Sequence, residues 1–284
     1  MTKRTGLFTM LVIFFLIGFW VRYVKSSYDV NFYLMEKYSN DAECLNGPLF
    51  SQSMLQDYMD EMDEHGWDQN LNANYVYHYM FWDPDKVTYG QDSNYLDDGM
   101  IGFIGAHGGV NASNHIYISM NRFNAITNSC KVIPYDQMQL GDIANGNKWL
   151  HLDSCHSMHV DDNALQSWRP VFQGVHQIDG FHGNGWISDQ LLDDYGNFAN
   201  HSHILAIARE WVQELTEFDF DGDVDLCPVA YTGRYTEDSC EDILTNEKYP
   251  TPGQINLLYA DTPSPTVWRR HYRAGCDPNA GDPL

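Results

Sequence analysis

Hydrophobic and polar positions along the chain fall into short blocks whose period changes several times. Behind Ser51 and Ser53, the residues Met54, Leu55, Tyr58, Met59 and Met62 recur at helical spacing and predict a capped helix over 51–64. Tyr75 to Trp82 is aromatic-rich and predicts a strand. Met100 to Ala106 is a nearly continuous apolar run that ends at His107-Gly108-Gly109, and His115 to Met120 alternates with strand period. Tyr135 to Ile143 reads as a helix stopping near Asn145-Gly146. Lys148 to Leu152 reads as a short strand running into Asp153-Ser154-Cys155, Asn163 to Trp168 as a short helix, and Gly174 to Phe181 as a further strand. Phe198 to Leu215 predicts one long helix, with Ile204, Leu205, Ile207, Ala208, Trp211, Val212 and Leu215 on a broad apolar face.

Strands alternating with helical stretches predict an α/β architecture with a mainly parallel sheet. In such sheets, functional side chains gather just beyond the C-terminal ends of strands. His107 and Cys155 both occupy that position. The pattern changes at Asn74, which divides the chain into a polar lead-in segment, 27–73, and a main domain with a C-terminal extension, 74–284.

Composition adds a core and a charge. Of 284 residues, 43% are hydrophobic and 14% aromatic, which excludes a disordered chain. Sixteen basic against 39 acidic residues give a net charge of −23. Such a surface repels phosphate backbones, so no nucleic-acid partner is expected, while cationic substrates and metal ions are favoured. At the N-terminus Lys3 and Arg4 precede an apolar run from Gly6 to Val21, which a snorkelling Arg22 extends to Val24. Residues 1–26 therefore read as a signal peptide or signal anchor, giving an exported protein that is secreted or held in a membrane by residues 6–24. Export permits disulfides among Cys44, Cys130, Cys155, Cys227, Cys240 and Cys276. If Cys155 is free, the other five form at most two bridges and leave one thiol over. Cys227 and Cys240 are a candidate short-loop pair. Sequons at Asn111 and Asn200 suit the same compartment.

The chemistry at the two strand ends is specific. A thiol becomes nucleophilic as its thiolate, and a neighbouring imidazole can take its proton and later return one to a leaving amine. Backbone N–H groups must then receive the developing oxyanion. Gly108, lacking a Cβ, lets the backbone beside His107 approach a substrate carbonyl. His65-Gly66 and His182-Gly183 are competing histidine-glycine pairs, but the first follows an acidic helix and the second comes after the cysteine.

Phe103-Ile104-Gly105-Ala106-His107-Gly108, followed 48 residues after the histidine by Cys155 within Leu150-His151-Leu152-Asp153-Ser154-Cys155-His156-Ser157, resembles the clan of caspases, legumains, gingipains and metacaspases. The pentapeptide 153–157 is closest to the metacaspase cysteine motif, although Met158 stands where metacaspases usually carry glycine. The stretch 171–182 also resembles exported caspase-like proteins. The resemblance spans about residues 74–215 and implies a caspase-like three-layer α/β/α sandwich. It implies His107 as general base and acid, Cys155 as nucleophile, and the N–H groups of Gly108 and Cys155 as oxyanion donors. It makes Asp153 part of a pocket for Arg or Lys, with a peptide or protein as substrate. His176, Asp179, His182 and Trp186 are further candidates for lining the cleft.

Peptidase chemistry of this kind requires no cofactor. Two metal readings stand beside it. His151, Asp153 and His156 would have to converge to hold zinc for a metallohydrolase. Asp219, Asp221, Asp223 and Asp225 alternate around a glycine turn and are the candidate ligands for Ca²⁺, an ion on which metacaspases often depend. A non-catalytic binding module that retains the fold is the remaining alternative.

Overall fold

A computed structural model describes residues 28–38, 44, 50–122, 129–143, 146–160, 162–185, 191–216, 226–252 and 259–273. The N-terminal segment 1–26, Trp186, the aspartates 219, 221, 223 and 225, and Cys276 lie outside the described residues. Among the described residues no helix is long and apolar enough to cross a membrane.

The chain is an α/β protein built on a seven-stranded, mostly parallel sheet. Its strands are β1 (Asp29–Leu34), β2 (Asp68–Ala73), β3 (Ile101–Gly105), β7 (Trp149–Asp153), β8 (Gln177–Phe181), β9 (Pro228–Arg234) and β10 (Val267–Tyr272). Their order across the sheet is β10-β9-β8-β7-β3-β1-β2. The strands from β2 to β8 pair in parallel, and β9 runs antiparallel to both its neighbours. Three short strands, β4 (Gly108–Val110), β5 (Ile116–Ser119) and β6 (Lys131–Val132), form a separate antiparallel sheet.

The period-2 alternation of the strands separates two cores. Val30, Phe32, Leu34, Ile101, Phe103 and Trp149 face a helical layer made by α1 (Gln56–Glu64), α4 (Leu192–His201) and α5 (Ile207–Glu214). Tyr33, Ile104, Leu150, Leu152 and Ile178 face the opposite side. There they pack on the small sheet and on the region of two short helices, α2 (Pro134–Gln137) and α3 (Asp162–Leu165). A last helix, α6 (Glu237–Asn246), covers β9 and β10 and is capped by Thr236, which accepts from the Ser239 N–H.

Segment 27–73 is no mere lead-in. It supplies β1, β2 and α1, so its strands lie inside the sheet of the main domain. The helix expected over 51–64 is present from Gln56, preceded by a 3-10 turn, although the Ser51 hydroxyl bonds Ser53 rather than capping it.

Three expectations differ from the structure. Tyr75 to Trp82 forms a 3-10 turn at His78–Met80 instead of a strand. Asn74 turns the chain through a left-handed conformation (φ 69°), and the rings of Tyr75, Tyr77 and Tyr79 stack on one another. The helix expected over 135–143 ends at Gln137, because the Leu140 N–H bonds the Val171 carbonyl and the Gly141 N–H bonds Asp97. The long helix over 198–215 is two helices. Between them Ala206 is extended, and the 247–249 segment bonds Ser202 and Ile207, pulling the chain off helical geometry.

Candidate active site

Three adjacent strand ends build the site. β3 delivers His107, its neighbour β7 delivers Cys155, and β8 delivers His182 to Gly185. The first two are locked in register: Gly105 pairs with Asp153, and the Ala106 N–H donates to the Asp153 carbonyl at 3.1 Å. His107-Gly108 then lies directly against Ser154-Cys155. A Cβ on Gly108 would overlap the Ser154 hydroxyl and the Cys155 carbonyl oxygen.

The histidine turn is held from two sides. The Ser119 N–H donates to the His107 carbonyl at 2.7 Å. Tyr38, just beyond β1, accepts the His107 N–H at 3.2 Å and stacks on the imidazole with 5.8 Å between ring centroids. Burial, first of all, pushes the Tyr38 phenol up to about 12, and the neighbouring Cys155 adds to the rise. Tyr38 therefore touches the histidine and feels the cysteine at once.

Cys155 is a free, half-buried thiol whose S–H donates to the Gly185 carbonyl at 3.4 Å. Burial pushes its pKa up, Gly185 opposes that, and the charge of Asp153 adds to it. The resting group is thus a thiol that needs a base. The loop after it is fixed by hydrogen bonds to the end of β8. His156 takes the left-handed conformation (φ 53°), its N–H donates to the Gly183 carbonyl, and the Met158 N–H donates to the Phe181 carbonyl. Such conformations cost about 1–3 kcal/mol and persist where surrounding bonds impose them. The Ser157 hydroxyl accepts the Phe181 N–H, and the Trp168 indole donates to the Ser157 carbonyl.

Asp153 lies directly beneath this loop. It is buried, its Oδ2 accepts from the Tyr195 hydroxyl at 2.7 Å, and its Oδ1 has no hydrogen-bond partner among the described residues. Burial pushes the carboxyl up to about 7, with the Tyr195 hydrogen bond opposing. His182 also belongs to the site. Its carbonyl lies 3.1 Å from His156 Nδ1 and 3.2 Å from His159 Nδ1, and its own Nδ1 accepts the Val160 N–H.

His176 and Asp179, also expected in the cleft, lie elsewhere. His176 precedes β8, at the opposite end of the strands, where Glu247 and Asp261 bond its two ring nitrogens. Asp179 is buried in mid-strand, 2.9 Å from His151 Nδ1 and hydrogen-bonded by Gln177. Asp179 sits mid-strand and so points to a face of the sheet rather than past its end, and His176 lies before the strand starts. His151, Asp153 and His156 are not brought together as zinc ligands. His151 bonds Asp179 and Tyr249, Asp153 bonds Tyr195, and His156 bonds His182. The competing His65 stacks on His203 at 3.7 Å, away from Cys155.

Tyr38, Tyr195 and Gly185 went unforeseen. Nothing in the sequence flags them: Tyr38 falls in a segment that reads as peripheral, and Tyr195 is one of 18 tyrosines.

Cys44 and Cys130 form a disulfide. Cys227 is also disulfide-bonded, while Cys240 is a buried free thiol, so the expected 227–240 bridge does not form. Residues 36–257 match the family model of a domain of unknown function, DUF6345, and no curated protein matches the chain.

Proposed function

The chain belongs to the DUF6345 family, and we propose that it is an exported cysteine endopeptidase of caspase-like fold that works through a His107/Cys155 pair. The observation that carries this reading is the contact of the His107-Gly108 turn with Ser154-Cys155 across the paired ends of β3 and β7. The mostly parallel sheet supports the caspase-like comparison, as does the placement of both motifs at C-terminal strand ends. The Cys44–Cys130 disulfide supports an oxidising compartment.

In this mechanism His107 accepts the thiol proton as Cys155 Sγ attacks the scissile carbonyl carbon. The carbonyl oxygen becomes an oxyanion within reach of the Gly108 and Cys155 N–H groups. The C–N bond then breaks, and His107 returns its proton to the departing amine. Water, deprotonated by His107, attacks the thioester, releasing the new carboxylate and restoring the thiol. Tyr38, stacked on the ring, fixes its plane for both transfers.

Asp153 gives the site its preference. Its buried Oδ1, without a hydrogen-bond partner among the described residues, suits a guanidinium or ammonium group that reaches it past the Cys155 loop, and the reading is then cleavage after Arg or Lys. The test is hydrolysis of peptides with Arg, Lys, Asn or Asp before the scissile bond. Activity on Arg and Lys peptides that is lost in Cys155→Ala supports the mechanism, whereas a Cys155→Ala variant with full activity would falsify it.

One observation favours a second reading. The raised pKa of Cys155 suits a non-catalytic binding module that kept the fold. That module would hydrolyse none of the peptides. The free state of Cys155 argues for the peptidase, because a retired nucleophile has no need to stay out of disulfides.

A further inference from the structure

Away from the Cys155 site, one set of ligating side chains among the described residues brings its donor atoms together: His201, Glu210 and Glu214. His201 is the last residue of α4. Glu210 and Glu214 sit four residues apart on α5 and so share a helix face. The turn over 202–206 folds α5 back, so that His201 Nδ1 lies 3.2 Å from Glu214 Oε1 and 3.5 Å from Glu210 Oε2. All three donor atoms lie within 4.8 Å of one another. Ligands about 2.0–2.1 Å from a tetrahedral ion stand roughly 3.3–3.4 Å apart. The set is close to that spacing already.

Glu210 makes the cluster more than an acidic patch. Its side chain is 1% exposed, and among the described residues neither carboxylate oxygen has a hydrogen-bond partner of ordinary length, the His201 imidazole standing 3.5 Å from Oε2. Among the described residues it also pairs with Arg209, whose Nε lies 3.6 Å from Oε1 on a side chain 59% exposed. A buried carboxylate is costly unless it is paired and hydrogen-bonded, and Glu214 beside it adds like charge. A protonated His201 offers one Nδ1 proton to two carboxylates. A divalent cation would neutralise both and accept the imidazole nitrogen as well.

We propose that His201, Glu210 and Glu214 form a zinc-class divalent-cation site that clamps the end of α4 to α5. Two carboxylates and one imidazole suit Zn²⁺. His201, with 42% of its side chain exposed, leaves a coordination position open to solvent water. The site is independent of the peptidase reading.

The test is metal content and thermal unfolding of the full chain after dialysis against Zn²⁺ and then metal-free buffer, for the wild type, His201→Ala and Glu214→Gln. Both substituted side chains reach solvent, so both variants should fold. The wild type is expected to retain a single equivalent of zinc and to unfold at a higher temperature with zinc than in chelator. Each variant should lose that equivalent and the metal-dependent rise, while Cys155 alkylation in chelator stays as in the wild type. Three results would overturn the site: zinc retained equally by the variants, no zinc in the wild type, or an unfolding temperature raised by Ca²⁺ and not by Zn²⁺.

Discussion

At the residue scale, the site depends on how closely two turns approach. Gly108→Ala would drive a Cβ into the Ser154 hydroxyl and the Cys155 carbonyl, displacing the N–H that the proposed mechanism uses as an oxyanion donor. Losing such a donor costs about 10²–10³ in rate. Peptide hydrolysis should fall by about that factor while the folded fraction is retained, and a variant with wild-type rate would remove Gly108 from the oxyanion role. Asp153 supplies a pH signature. Its carboxyl, pushed up to about 7, must ionise to hold a cationic side chain. Preference for an Arg peptide over a neutral one should therefore grow as pH rises through about 7. Tyr195→Phe removes the hydrogen bond that opposes the rise, so the same transition should move to higher pH. A transition that stays in place would show that Asp153 does not read the substrate. That the His107-Gly108 and Ser154-Cys155 turns adjoin is legible in the sequence, because strand-end position and residue chemistry coincide in a short motif. Tyr38 and Tyr195 are not, since each reaches the site from a distant element through tertiary packing alone.

At the element scale, strands with continuous apolar runs were the readable part. β3, β5 and β8 lie within their expected segments, and β7 overruns its own by one residue, Asp153, because burial forces a largely apolar sequence on them. β2, whose residues read Asp-Gln-Asn-Leu-Asn-Ala, is an exposed edge strand and carries no such pattern. The break between α4 and α5 was equally invisible. Ile204 continues the apolar pattern yet is 60% exposed, and the turn is imposed by backbone bonds from residues 247 and 249. The disulfide joins elements that the sequence separates by 86 residues, tying the segment after β1 to the small sheet that begins at the histidine turn. A cross-link of that span stabilises by about 2–5 kcal/mol. The paired variant Cys44→Ser/Cys130→Ser should unfold at distinctly lower denaturant, and an unchanged midpoint would show that the bridge carries no stability.

At the scale of the whole molecule, charge and burial act together. The chain carries −23, yet Asp92 and Asp97 are buried beside β3, and burial pushes their carboxyls up to about 9 and about 8. A carboxyl whose folded pKa lies above its ordinary value near 4 favours the folded state while protonated. That contribution is complete below the ordinary value and is lost as pH rises through the folded value. Stability should therefore decline from about pH 4 to pH 9, and Asp97→Asn should flatten the part of the decline between about pH 4 and pH 8, leaving the part due to Asp92. Chemical denaturation at pH 5 and pH 9 checks this; a higher midpoint at pH 9 would contradict it.

The same architecture sets the central claim, since adjacent parallel strands bring together two residues 48 positions apart in sequence. The most direct measurement is labelling of the purified protein with peptidyl acyloxymethyl ketones bearing Arg, Lys, Asn or Asp, read by intact mass and by the modified residue. The account predicts modification at Cys155 by the Arg and Lys probes, abolished in His107→Ala. Absence of labelling by every probe, or labelling of Cys155 that persists undiminished in His107→Ala, would contradict an activated histidine–cysteine pair.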